Sequence, residues 1–83
     1  MVGRIVCSKS GRDKGYFLVV IKEEDGFLLV CDGKERPLSR PMKKNPKLLA
    51  LTNTVLSEDS YSTDKSLRRA LAIYRDSVLY RRS

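Results

Sequence analysis

The chain has no histidine and no tryptophan, and only two cysteines among its 83 residues. Without histidine, Ser/His and Cys/His nucleophile pairs have no base. Zinc sites built from Cys and His fail by count as well. Cys7 and Cys31 stand twenty-four residues apart and form no C-x-x-C pair. Each lies inside an apolar run, so the expectation is two small buried thiols and no disulfide. The amino terminus shows no apolar secretory segment, and a reduced, cytoplasmic protein is expected. No apolar run approaches the roughly 18 residues of a spanning helix. No glycine pattern ends in the Lys-Ser/Thr of a phosphate loop. Asp13, Asp25 and Asp32 lie in or beside glycine-containing turns, which accounts for them. The expectation is a protein that is not an enzyme and carries no metal or cofactor.

What the chain has in excess is positive charge. Seventeen Lys and Arg stand against ten Asp and Glu, a net +7. That balance points to a polyanionic partner. Only 41% of residues are apolar, enough for one small core and not for a deep substrate cleft. The charge is unevenly spread. Residues 1–15 carry +3, 16–33 carry −3, 34–47 carry +5, 48–64 carry −3 and 65–83 carry +5. Cations therefore collect in a first loop, in a proline-rich stretch and in the last segment.

Short apolar runs separated by turn residues read as β-structure. Gly3–Cys7 is strand one, with Ile5 and Cys7 expected inward. Tyr16–Lys22 and Phe27–Asp32 are strands two and three, joined by a hairpin at Asp25-Gly26. Glu35–Leu38 reads as a short fourth strand, and Leu48–Thr52 closes the set. Pro37, Pro41 and Pro46 make Lys34–Lys47 a semi-extended loop that excludes helix and central strand. Five short strands fit a small barrel over residues 1–52. Residues 53–62 read as a linker. A helix over 63–80 follows, capped by Ser62 or Thr63, with Asp64 at the positive end of its dipole. Leu67, Ala70, Leu71, Tyr74 and Val78 form one apolar stripe, expected to pack on the barrel. Arg75, Arg81 and Arg82 suit the carboxyl end of the dipole.

The chain is organised around Lys9-Ser10-Gly11-Arg12-Asp13-Lys14-Gly15. Gly11 and Gly15 suit positive φ, Asp13 favours a local turn, and the other residues are mostly cations. A stiff cationic loop suits a phosphate backbone, because its charges are placed before the partner arrives. Residues 3–33 resemble a KOW motif: a strand, a basic loop ending at Gly15, then two strands. The run Gly3-Arg4-Ile5-Val6-Cys7 through Gly15 is similar to the opening of the archaeal and eukaryotic large-subunit ribosomal protein fourteen-e family and its small bacterial relatives. The similarity continues through Val30-Cys31-Asp32-Gly33, Arg36 and the basic run to Asn45 and Leu49, covering roughly residues 2–52. The family often has His where this chain has Leu48. The resemblance implies a mainly β fold, an SH3-like five-stranded barrel, that binds ribosomal or other structured RNA in association with the ribosome. It also implies that the first loop and the segment before the last strand lie near one end.

On this reading the RNA-contacting residues are Lys9, Arg12 and Lys14 in the first loop, and Lys34, Arg36, Arg40, Lys43, Lys44 and Lys47 in the proline-rich segment. Arginines suit planar groups and bases, whereas lysines act as point charges. Tyr16 is a candidate for base stacking, or else a half-buried residue at a strand start. Arg68 and Arg69 either extend the surface or solvate the helix. The expected partner is RNA met by a monomer, with ribosomal or transcription proteins beside it and no membrane. The alternative is a protein-interaction KOW module of the transcription or translation machinery, using a sheet edge or the helix stripe.

Overall fold

A computed structural model describes residues 1–82, with side chains through Leu79. Five strands form one antiparallel sheet: β1 Arg4–Ser8, β2 Phe17–Glu24, β3 Phe27–Cys31, β4 Met42–Lys44 and β5 Leu49–Val55, in the order β4-β3-β2-β1-β5. The helix α1 spans Asp64–Arg82. The protein is thus mainly β with a carboxyl-terminal helix, as expected. Among the described residues no helix is long and apolar enough to cross a membrane.

The sheet buries both faces. Val6, Leu18, Val20, Leu28, Val30 and Leu49 form one cluster, with Met42 packed against it. Met42 is on one edge strand and Leu49 is on the other, so both edges turn toward the same core. A flat sheet cannot do this; the sheet curls into a barrel-like shape. Ile5, Val19 and Cys31 lie on the other face and pack against Leu67 and Leu71 of α1. Tyr74 adds an edge-on contact to Phe17, with centroids 5.1 Å apart. Two-sided burial explains the continuous apolar run of β2, where alternation would have marked a half-solvated strand. It also corrects strand one: Ile5 and Val6 are both buried on opposite faces, while Cys7 is half-buried.

Several boundaries differ from those read off the sequence. Glu35–Leu38 is not a strand. The Asp32 carboxylate accepts from the backbone N–H of Lys34 and of Arg36, each at 2.9 Å, and the Arg36 carbonyl accepts from the N–H of Asp32 and Gly33. These bonds close a tight loop where a ladder would have been. The fourth strand is Met42–Lys44, set between Pro41 and Pro46. It sits at a sheet edge, where a missing N–H is tolerated. Residues 53–62 are not a bare linker: β5 continues to Val55, and Glu58–Tyr61 is a 3-10 turn with Tyr61 packed under the helix.

At the helix start, Thr63 is the cap, its Oγ1 accepting from Ser66 N–H at 3.1 Å. The Asp64 carboxylate accepts from Leu38 N–H at 2.7 Å, which fastens the proline-rich segment to the helix. Gly33 makes that junction sterically feasible. Its φ is +80°, and a Cβ there would lie 2.5 Å from the Asp64 carbonyl oxygen. The dipole role expected of Arg81 and Arg82 lies outside the described side chains.

Candidate nucleic-acid interface

The first loop leaves β1 and returns to β2 through two glycines in the left-handed region, Gly11 at φ +80° and Gly15 at φ +88°. Backbone bonds from Gly15 N–H to Ser8 O and from Tyr16 N–H to Asp13 O close it. The Asp13 carboxylate turns inward. Asp13 Oδ1 accepts from Ser8 Oγ at 2.9 Å and from Lys44 Nζ at 3.1 Å. The same ammonium donates to Ser8 Oγ at 3.1 Å.

This cluster sits largely out of water, with side-chain exposure of 9% at Lys44 and 19% at Asp13. Burial alone would raise the Asp13 carboxyl. The Ser8 hydroxyl and the Lys44 ammonium outweigh it and hold the group below its ordinary value. Lys44, expected among the phosphate contacts, has its charge already committed to Asp13. A signal existed in the sequence. Met42-Lys43-Lys44 alternates across a strand, so one lysine must face inward, and an inward lysine requires a carboxylate.

The cluster has a positional consequence. Strands β4 and β1 are separated by β3 and β2, roughly 14 Å apart in a flat sheet. The Lys44–Ser8 bond spans that separation because the sheet curls, and it ties the proline-rich segment to the base of the first loop. A second tie runs from Lys9 N–H to the Leu48 carbonyl at 2.9 Å. The two basic connections therefore meet at one end of the barrel.

Between them lies a cleft of about 600 Å³. Arg12 and Tyr16 line it from the first loop, Glu35 and Arg36 from the closed loop after β3, and Leu18 and Met42 from the core. Tyr16 is 56% exposed, so its ring is displayed and not a half-buried strand residue. Arg12 and Arg36 are both exposed and both line the cleft. Lys9 and Lys47 flank this end on the side of β5, at the two chain segments joined by the Lys9–Leu48 bond. Lys14 is exposed on the loop's return.

The remaining candidates fall elsewhere. Lys43 points away from the cleft side of β4 and lies over the Phe27 ring, 4.9 Å from its centroid. Lys34 and Arg40 are exposed on turns and do not line the cleft. Glu35 and Asp32 do line it, which charge counting alone had not marked as part of the site. Cys31 is buried and its thiol is pushed up to about 12, by burial first and by Asp64 and Asp32 second, so it is inert at neutral pH.

No protein-family model matches the chain, and no curated protein matches it at a significant level.

Proposed function

We propose that this chain is an RNA-binding module that grips structured RNA, such as ribosomal RNA, with two basic connections held at one end of its barrel. The observation that supports this best is the Ser8–Asp13–Lys44 tie, at 2.9 and 3.1 Å. It joins β4 to the base of the first loop beside a cleft that Arg12, Arg36 and Tyr16 all line. Lys9, Lys14 and Lys47 extend the positive surface around that cleft. The first loop is closed by its backbone bonds and by Ser8–Asp13, and the second is restrained by Pro41 and Pro46, so less ordering remains to be done on binding. Phosphates are met by the exposed cations, and an aromatic face beside them suits an unstacked base. The likeness to the ribosomal fourteen-e family agrees with this reading and makes ribosome association its natural setting.

A titration of a structured RNA hairpin at several salt concentrations tests it. With about 5 phosphate contacts the log–log salt slope is of order −3 to −5. Replacing Arg12 and Arg36 by Gln lowers affinity for every hairpin and flattens that slope by about 1 per residue removed. Binding that is absent, or that is indifferent to salt, would overturn the proposal.

A further inference from the structure

The cleft holds more than phosphate-binding cations, and its carboxylates are the clue to what else enters it. Glu35 and Asp32 both line it. Asp32 Oδ1 is engaged by two backbone N–H groups of its own loop, from Lys34 and Arg36. Glu35 is exposed and enters no ion pair among the described residues. The backbone on either side of Glu35 is pinned, because Arg36 bonds through both its N–H and its carbonyl and Lys34 through its N–H. A free carboxylate on a stiff loop, next to Arg36, is therefore presented to a cleft that Arg12 and an exposed tyrosine ring line from the first loop.

A phosphate does not suit this interior. Its lining balances Asp13, Asp32 and Glu35 against Arg12, Arg36 and Lys44, with Lys44 already paired to Asp13, and a phosphate there would lose water against Leu18 and Met42. The volume of about 600 Å³ also lies within the roughly 300–1,000 Å³ of sites that enclose a whole small molecule. A flat base suits it better, with its face on Tyr16 and its edge toward Glu35. A carboxylate accepts through two oxygens, so it favours the base that offers two adjacent donors. Among the four RNA bases, guanine alone does so, through N1–H and the N2 amine of its Watson–Crick edge. Adenine and cytosine each offer one amine beside a ring acceptor, and uracil offers one N–H between two carbonyls that a carboxylate repels. That edge is free only where the base is unpaired.

We infer that the cleft takes a single unpaired guanine of an RNA loop or bulge, read by the Glu35 carboxylate and stacked on Tyr16, while Arg12 and Arg36 hold the flanking phosphates. This deepens the RNA-binding reading and rests on it.

Fluorescence anisotropy of the full chain with a set of RNA hairpins tests it. The hairpins share one stem and carry a pentaloop of adenines whose central residue is guanine, inosine, adenine, cytosine or uracil. The guanine loop is expected to bind about tenfold more tightly than the others, as a bidentate contact to a base edge allows. Inosine, which lacks the N2 amine, loses most of that margin. Glu35→Gln removes the preference for guanine, so that the guanine and inosine loops bind alike. Should that variant fail to fold, the guanine–inosine comparison reads the same contact from the RNA side. Equal, salt-dependent binding of all five hairpins overturns the guanine inference and leaves the RNA-binding reading standing. Binding of none of them overturns both.

Discussion

Replacing Lys44 by Met examines the Ser8–Asp13–Lys44 tie directly. The two charges stand 3.1 Å apart, with exposures of 9% and 19%. At an effective dielectric of about 20 their gross attraction is roughly 5 kcal/mol. In the folded protein most of that offsets the desolvation of two ions. The methionine variant loses the attraction but keeps the desolvated carboxylate, which retains the Ser8 hydroxyl. Breaking such a pair from one side costs about 3 kcal/mol. A domain of 83 residues has a total stability of roughly 4–12 kcal/mol, so the loss is a large share of it. In thermal unfolding it corresponds to a fall of about 12–24 °C in Tm. Adding Asp13→Asn removes the stranded charge, and the double variant recovers to within about 1 kcal/mol of the parent. Urea unfolding of the four proteins in this cycle gives the coupling energy. A coupling below about 0.5 kcal/mol would refute the reasoning, since the pair would then be no more than a surface contact. RNA titration of Lys44→Met supplies a second check. An ammonium already held by a carboxylate displaces no counterion from RNA, so the salt slope stays unchanged.

Two further outcomes follow from the same geometry. Gly15 and Gly33 share nearly the same φ but differ in surroundings: a Cβ at Gly15 meets nothing within 4 Å, whereas at Gly33 it meets the Asp64 backbone. Gly15→Ala is expected to cost about 1–2 kcal/mol from conformation alone, and Gly33→Ala at least about 1 kcal/mol more from the added clash; equal losses by urea unfolding would contradict the close approach of loop and helix. The lowered Asp13 carboxyl sets the sign of an acid effect. As pH falls through the ordinary aspartate range near ~4, the unfolded chain takes up a proton that the folded chain resists, so stability declines there and the contribution is gone below the folded value. Asp13→Asn removes that part of the decline, and an acid limb of unchanged steepness would show that the carboxylate is not held as described.

Much of the architecture was readable before any coordinates. The two-residue hairpin at Asp25-Gly26 has both residues at positive φ, 50° and 82°, as an Asp-Gly pair prefers. Gly11 and Gly15 take the conformations their loop required. The stripe of Leu67, Leu71 and Tyr74 is the face that α1 buries. The misread portions lie where a side chain captures backbone donors from its own neighbourhood. Asp32 turns Lys34–Arg36 into a closed loop, and that moves the fourth strand to Met42–Lys44. Propensity rules assign such a stretch by its residue types and take no account of a carboxylate reaching two and four residues ahead.

By itself the sequence determined the local geometry and the sign of the surface: where the chain must turn, which runs must be buried, and where cations gather. Those follow from backbone sterics, hydrophobic periodicity and composition, all of which act over a few residues. Only the tertiary structure decided which charges are displayed and which are spent. Lys43 and Lys44 are adjacent in the chain, yet one lies over an aromatic ring at the surface and the other is buried against Asp13, thirty-one residues away. Curling of the sheet sets that difference, because it brings β4 over the end of β1 and gives an inward lysine a carboxylate to meet.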